Sequence, residues 1–330
     1  MRENFHVRFL EEGSMGRYLS PLNPYSFKLI FGTEKNSNIL IHFLNDILEF
    51  TGENAVQAVE FLNTIMNPEI ASDKQSIVDI LCKDSTGRKF VVEMQVARDK
   101  GFEKRAQLYA AKAYSRQSGN YADLQKVYFI AISNCNLFNE EVSYLSTHNI
   151  RDIKTNGHYL KDFQFVFIEL PKFTKSRVDE LETTVERWCF FFRYAEETTN
   201  EDLKKIAEQE PVIKLAYDEL DKSGWNEKDL VAYEEKDMDV YKEANIWAQR
   251  LDDATEKGKK EGIEKGIQIG EERGREEGKE EGREEGRKAE KIEVAKNLLK
   301  VGISIDIIAE TTGLTIDELK QLQDEYETQI

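Results

Sequence analysis

The chain has 330 residues, 40% hydrophobic and 10% aromatic, enough apolar material for a real core, so a wholly disordered polymer is excluded. Its 46 basic and 63 acidic residues give a net charge of −17. Taken alone, that balance argues against tight nonspecific nucleic-acid binding, which needs Lys and Arg to neutralise phosphates. Cys82, Cys135 and Cys189 stand far apart with no CxxC pair, so neither a structural zinc site nor a disulfide framework is expected. The opening "MRENFHVRFLEEGS" lacks the apolar stretch of a signal peptide, and the run "VYFIAI" at 127–132 is of strand length. The expectation is a soluble, cytoplasmic protein without a membrane partner.

In chain order, 35–50 carries Ile39, Leu40, Phe43, Leu44, Ile47 and Leu48 at helical spacing and predicts an amphipathic helix. A short strand follows in "AVQAVEFLN". Two β-rich runs, "SIVDILCKD" and "RKFVVEMQ", are separated by "STG" and predict a hairpin. A helix is expected from about Gly101 to Gln117, then buried strands at 126–133 and 163–170. Helices resume with "RVDELETTVERWCFFFRYAEE" and continue through Trp247. Beyond it, glycine recurs at 258, 262, 266, 270, 274, 278, 282 and 286, within Glu, Lys and Arg. A boundary is placed near 250, and a small helical module after about 290.

The turn fixes the hairpin's register. With Ser85-Thr86-Gly87 as a three-residue loop and Gly87 at positive φ, Asp84 faces Arg88 and Asp79 comes opposite Glu93. Alternation puts Val78, Ile80 and Cys82 with Phe90, Val92 and Met94 on an apolar face. The other face carries Ile77, Asp79 and Leu81 beside Val91, Glu93 and Gln95. Opposed like charges destabilise a sheet unless something neutralises them, and a divalent cation of Mg²⁺ type would do so. The same spacing also fits Asp79 paired with a nearby Lys or Arg and Glu93 turned to solvent at a sheet edge, so it leaves both readings open.

"SIVDILCKDSTGRKFVVEMQ" closely resembles the core motif of the PD-(D/E)XK family transposases, the Rpn-type recombination-promoting nucleases. The resemblance includes "YLSPLNPYSFKLIFGTEKNSNILIHFLNDIL" upstream, and "FEKRAQLYAAKAYSRQ", "NYADLQKVYFIAI" and "FVFIELPKF" downstream. It implies an α/β, restriction-endonuclease-like core, a central mixed sheet flanked by helices, over residues 18–200. An N-terminal arm (1–17), a helical extension (201–250), a charged glycine-repeat helix or tether (251–290) and a small helical module (291–330) complete the expected layout. It further implies DNA cleavage dependent on Mg²⁺ or another divalent cation and no small-molecule cofactor. Asp79 and Glu93 would be metal ligands and catalytic groups, with Gln95 catalytic in the place of the superfamily's usual lysine. Two positions depart from the pattern: Gln95 carries no charge, and Pro24 or Tyr25 stands where relatives usually have an acid. The alternative is a catalytically impaired DNA-binding or oligomeric interaction protein derived from such a nuclease.

Between Ala71 and Lys126 there are eleven basic and seven acidic residues, a local balance of +4. Arg105, Lys112 and Arg116 fall on one helical stripe and, with Lys28, are candidate DNA phosphate contacts; a solvated helix face is the plainer reading of each alone. His6, His42, His148 and His158 show no ligand spacing. In the tail, each helix-interior glycine costs about 1 kcal/mol relative to alanine, while an opposite-charge i,i+4 pair returns only about 0.3–0.5. The tail is therefore either a self-associating helix that makes the protein a homo-oligomer, or a tether. After it, "ISIDIIAETTGLTIDELKQL" reads as helix, turn at Gly313, and a helix opened by a Thr315–Glu318 capping box. The second helix is acidic, which favours a protein-contact or targeting role over DNA reading.

Overall fold

The computed structural model describes residues 17–66, 76–97 and 99–327. The expected N-terminal arm, apart from Arg17, lies outside the described residues, as do His6, Lys74 and Arg98. The chain divides into two compact units after Trp247.

The first unit is an α/β domain around a six-stranded mixed sheet. Its strands are β1 (Val59–Phe61), β4 (Ile80–Asp84), β5 (Lys89–Gln95), β6 (Val127–Ser133), β8 (Phe163–Glu169) and β7 (Leu145–Asn149), in that spatial order. β5, β6 and β8 run parallel, and β1, β4 and β7 pair antiparallel with their neighbours. β6 is buried at every position, as a central strand covered on both faces must be, which is why it reads as an unbroken apolar run. The parallel step from β5 to β6 is made through helix α3 (Phe102–Ser115).

One face of the sheet, with Phe90, Val92, Ile130 and Ile168, packs under helices α1 (Pro24–Phe31), α2 (Ser37–Leu48), α4 (Thr184–Tyr194) and α6 (Pro211–Leu220). Phe31, Phe43, Trp188 and Phe192 form an aromatic knot there, with ring centroids 5.2 to 5.9 Å apart. Such pairs add about 0.5–1.5 kcal/mol each beyond area burial. The opposite face, with Val91, Phe129, Ala131 and Phe167, lies under Phe102, Ala106, Ala110 and Ala113 of α3. The small residues let α3 approach the strands closely. α5 (Asn200–Gln209) completes the domain's shorter helices.

Three features were not expected. α1 begins at an Asn23 N-cap whose side chain accepts from the Tyr25 amide at 2.8 Å, with Pro24 in the first turn. Edge strand β7 is polar and was not anticipated. The strand expected from Ser76 to Asp84 is broken at Val78–Asp79: β3 (Ser76–Ile77) pairs instead with β2 (Ile65–Met66) in a separate two-stranded sheet. The break turns Val78 into the core under α3, beside Leu81 and Val91, and not onto the face of Ile80 and Cys82.

Helix α7 spans Glu227–Lys300, so the glycine repeat is helical, and among the described residues nothing outside the helix's own neighbouring backbone stands within 4 Å of the Cβ position of any of its glycines. The second unit has its own core, in which Ala295 of α7, Ile308 of α8 (Ile305–Thr312), and Leu314 and Leu319, the latter on α9 (Ile316–Glu327), are buried. Gly313 takes φ +72° to end α8. Thr315 and Glu318 form the capping box: the Thr315 amide donates to Glu318 Oε2 at 2.9 Å and the Glu318 amide to Thr315 Oγ1 at 3.3 Å. No helix among the described residues is long and apolar enough to cross a membrane.

Candidate active site

The β4–β5 pairing sets Ile80 against Val92 and Lys83 against Lys89, with Gly87 at φ +86° in the turn. Counting on from Ile80 brings Asp79 opposite Glu93, the register the turn predicts. The Asp79 amide donates to Glu93 Oε1 at 2.9 Å, and the Met94 amide donates to Asp79 Oδ2 at 2.9 Å. The break in the strand at Asp79 makes this possible, because a continuous ladder would have used those amides otherwise. The two carboxylates are held against each other by backbone donors.

Glu93 is 5% exposed and lies on a central strand, and Asp79 is half-buried. Neither has a Lys or Arg ion partner among the described residues. Burial, and then the charge of Asp79, push the Glu93 carboxyl up to about 8. Burial also raises Asp79, opposed by the Met94 hydrogen bond and by the charges of Lys28 and Arg105. The simpler reading, a salt-bridged Asp79 and a solvent-facing Glu93, does not describe this arrangement. Asp79 Oδ1 and Glu93 Oε2 have no hydrogen-bond partner among the described residues.

The positive groups come from two helices. The connection after β5 turns at Gly101, φ +91°, and brings the first turns of α3 back over the strand end. Arg105 there donates through Nη2 to Gln95 Oε1 at 2.5 Å and through Nη1 to Asp99 Oδ2 at 2.7 Å. Its guanidinium lies 4.9 Å from the Phe102 ring centroid. The Gln95 amide nitrogen donates in turn to the carbonyl of Ala97. Lys28, exposed on α1, is close enough for its charge to act on both carboxylates.

The rest of the expected basic stripe is not gathered here. Lys112 donates to Ser76 Oγ at 2.8 Å, tying β3 to α3. Arg116 caps the far end of α3, roughly 16 Å along the axis from Arg105 at 1.5 Å per residue.

Residues 21–249 match the model of the PD-(D/E)XK nuclease family transposases. The chain belongs to that family. Residues 288–324 match the model of the C-terminal HTH domain of the Rpn/YhgA-like nuclease family. No curated protein and no solved structure matches the chain.

Within this PD-(D/E)XK chain, the segment where relatives usually carry an acid forms the first turn of α1. The Tyr25 hydroxyl donates there to Asp229 Oδ1 of α7 at 2.7 Å. Among the described residues no group of three or more His, Cys, Asp or Glu is placed to hold a metal. Two neighbours of the site escaped the sequence reading. One is Tyr109, four residues after Arg105, where burial and then the nearby Glu93 charge raise its hydroxyl. Asp99, which anchors Arg105, sits in a short connection with no periodic signal.

Proposed function

We propose that this protein is a divalent-metal-dependent DNA endonuclease whose metal is held by Asp79 and Glu93. The observation that carries the reading is the opposition of a buried and a half-buried carboxylate with no cationic partner among the described residues, each with an oxygen that none of those residues claims by a hydrogen bond. Hard oxygen donors of this kind suit Mg²⁺, which keeps several waters and shares its shell with a substrate phosphate, so two protein carboxylates suffice. When bound, the metal would polarise the phosphodiester and lower the pKa of a bound water. The protein's part is to fix the carboxylates through the Asp79 and Met94 amides, and to set Lys28 and Arg105 beside them against phosphate charge. Membership in the nuclease family and the C-terminal HTH match support DNA as the partner. Lys28 and Arg116 are the proposed backbone contacts.

A second reading, a DNA-binding derivative with impaired catalysis, is favoured by one observation: the third acid is replaced by the Tyr25 segment. Nicking of supercoiled plasmid with Mg²⁺, with EDTA, and by Asp79→Ala separates the two. Metal-dependent nicking by the wild type that the variant loses is the expected result. DNA binding without nicking, in a protein that binds Mn²⁺, would establish the second reading.

A further inference from the structure

We propose that Arg105 is a catalytic residue of this site, its guanidinium held by Gln95 and Asp99 so that the remaining N–H groups of Nη1 and Nη2 donate to the scissile phosphate. The inference rests on the nuclease reading above and goes beyond it by moving the role expected of Gln95 onto a residue of α3.

The amide of Gln95 is engaged at both ends. Its oxygen accepts from Arg105 and its nitrogen donates to the Ala97 carbonyl, which fixes the amide and leaves it one N–H and one lone pair. What Gln95 does in this arrangement is hold a guanidinium. A guanidinium has five N–H donors in a rigid fork that matches phosphate geometry. One from Nη1 goes to Asp99 and one from Nη2 to Gln95, while Nε is buried without a partner among the described residues. A buried N–H left unpaired costs on the order of 1–3 kcal/mol, and such groups are rare unless a function keeps them.

The placement is directed. The Arg105 side chain is 33% exposed, so one side is packed and another faces solvent. Packing against Phe102, with Tyr109 at 6.0 Å, removes water from one face of the guanidinium and limits its rotamers. Its bond to Gln95, two residues on from Glu93 and so on the same face of β5, places it on the Asp79–Glu93 side of the sheet. Donors preorganised in this way act where charge develops in the reaction, and removing one typically costs about 10²–10³ in rate. A backbone anchor, by contrast, is an exposed and flexible cation that contributes to binding before the reaction begins.

The test uses the full chain and four variants: Arg105→Ala, Arg105→Lys, Gln95→Ala, and Arg105→Ala with Gln95→Ala. Three quantities are measured: the Mg²⁺-dependent single-turnover rate on saturating plasmid, the salt dependence of duplex affinity in Ca²⁺, and Mn²⁺ affinity. Arg105→Ala is expected to slow cleavage about 10²–10³-fold. Its Mn²⁺ affinity and salt slope should stay close to wild type. Arg105→Lys should recover only part of the rate, because an ammonium cannot serve both partners and the phosphate. Gln95→Ala should reproduce much of the loss, and the double variant should be no slower than Arg105→Ala, as for two residues acting as one unit. Should Arg105→Ala fail to fold, Arg105→Gln carries the same comparison. An unchanged rate beside an active wild type overturns the inference alone, as does a slope lowered by about 0.9 with the rate intact, the mark of a phosphate anchor. Multiplying losses in the double variant overturn the holding role of Gln95. A wild type that binds Mn²⁺ and duplex yet cleaves nothing overturns the nuclease reading, and this inference with it.

Discussion

The Asp79 amide donates to the carboxylate of Glu93 directly across the β4–β5 hairpin, at 2.9 Å, so that two acids that repel each other are held in place by the backbone between them. Nothing in the described surroundings neutralises the pair by contact. That relationship makes the site a metal site in the proposed reading, and it gives the first prediction. Asp79→Asn keeps an oxygen for the Met94 amide but removes a charge; Glu93→Gln does the same for the Asp79 amide. Both variants should stay folded, lose Mg²⁺-dependent nicking by at least about 100-fold, and bind Mn²⁺ more weakly. Full nicking by either purified variant would remove the assignment.

The same burial has a sign in pH. Glu93 holds its proton more tightly in the metal-free fold than its ordinary value of 4.5, because burial and Asp79 both penalise its charge. The folded state therefore binds more protons than the unfolded chain between that value and about 8. Stability must fall as pH rises through this window, the reverse of a salt-bridged carboxylate. Melting in EDTA at pH 5 and pH 8 should show the drop, Mg²⁺ should reduce it, and Glu93→Gln should abolish most of it. A wild-type melting point that rises with pH across the window in EDTA would contradict the assignment of an uncompensated Glu93.

Much of this was legible in the sequence because it is local. A three-residue turn with Gly87 fixes the hairpin register, and the continuous apolar run of β6 can only be a strand covered on both faces. The α1 helix was missed although Asn23-Pro24 is a cap followed by proline in the first turn; eight residues are too few for periodicity to stand out. Val78 was misplaced because alternation assumes an unbroken strand, and the break at Asp79 goes with the pairing of β3 with β2, a partner that alternation within one strand does not reveal. Asp99 and the Gln95–Arg105 bond were invisible for a related reason: they depend on how the chain turns between β5 and α3, which a positive-φ glycine permits but does not specify.

On sequence alone, lysine at position 95 would be the more usual residue and Gln95→Lys should preserve or raise activity. With Arg105 held by Gln95 as proposed, we expect the opposite. A lysine there would set an ammonium against the Arg105 guanidinium in place of a 2.5 Å hydrogen bond. We expect Gln95→Lys to reduce the single-turnover rate by at least about tenfold through displacement of Arg105. Adding Arg105→Ala should then recover part of the lost rate, since the new lysine is free to take the position. A Gln95→Lys protein as fast as wild type would show that the bond does not matter.

Binding should separate from chemistry at Arg116, at the far end of α3, more cleanly than at Lys28, whose charge reaches both carboxylates. Lys28→Ala and Arg116→Ala each remove an exposed charge, and each should lower the log–log salt slope of duplex affinity by about 0.9 if it meets a phosphate. The rate at saturating DNA should change little for Arg116→Ala. Lys112→Ala is different, because its ammonium ties β3 to α3 through Ser76 Oγ. It should cost roughly 1 kcal/mol of stability or more, with little effect on the slope. An unchanged slope in both the Lys28 and Arg116 variants would return them to the solvated surface.

Removal of residues 251–330 should leave the catalytic unit folded. The core of the first unit is drawn from residues between Tyr18 and Tyr233, and that of the second from residues between Ile292 and Leu322. Of the large hydrophobics between residues 251 and 290, Leu251, Ile263, Ile267 and Ile269 are all exposed, so at about 25 cal/mol per Å² of buried area they add little to the core of the first unit. Thermal unfolding of a 1–250 fragment should therefore match the first transition of the full chain, with Mn²⁺ affinity and Mg²⁺-dependent nicking of plasmid retained. What the fragment should lose is self-association, measured by sedimentation, together with any duplex affinity contributed by the HTH segment. The glycines allow the two losses to be told apart. Replacing all eight with alanine fills Cβ positions that nothing in the chain occupies and favours the helix by about 1 kcal/mol at each site. A more stable helix that still self-associates would show that the stripe is not the contact; a more stable helix that is monomeric would show that close approach at the glycines is. An insoluble or unfolded 1–250 fragment would mean that the catalytic unit depends on the segment after it.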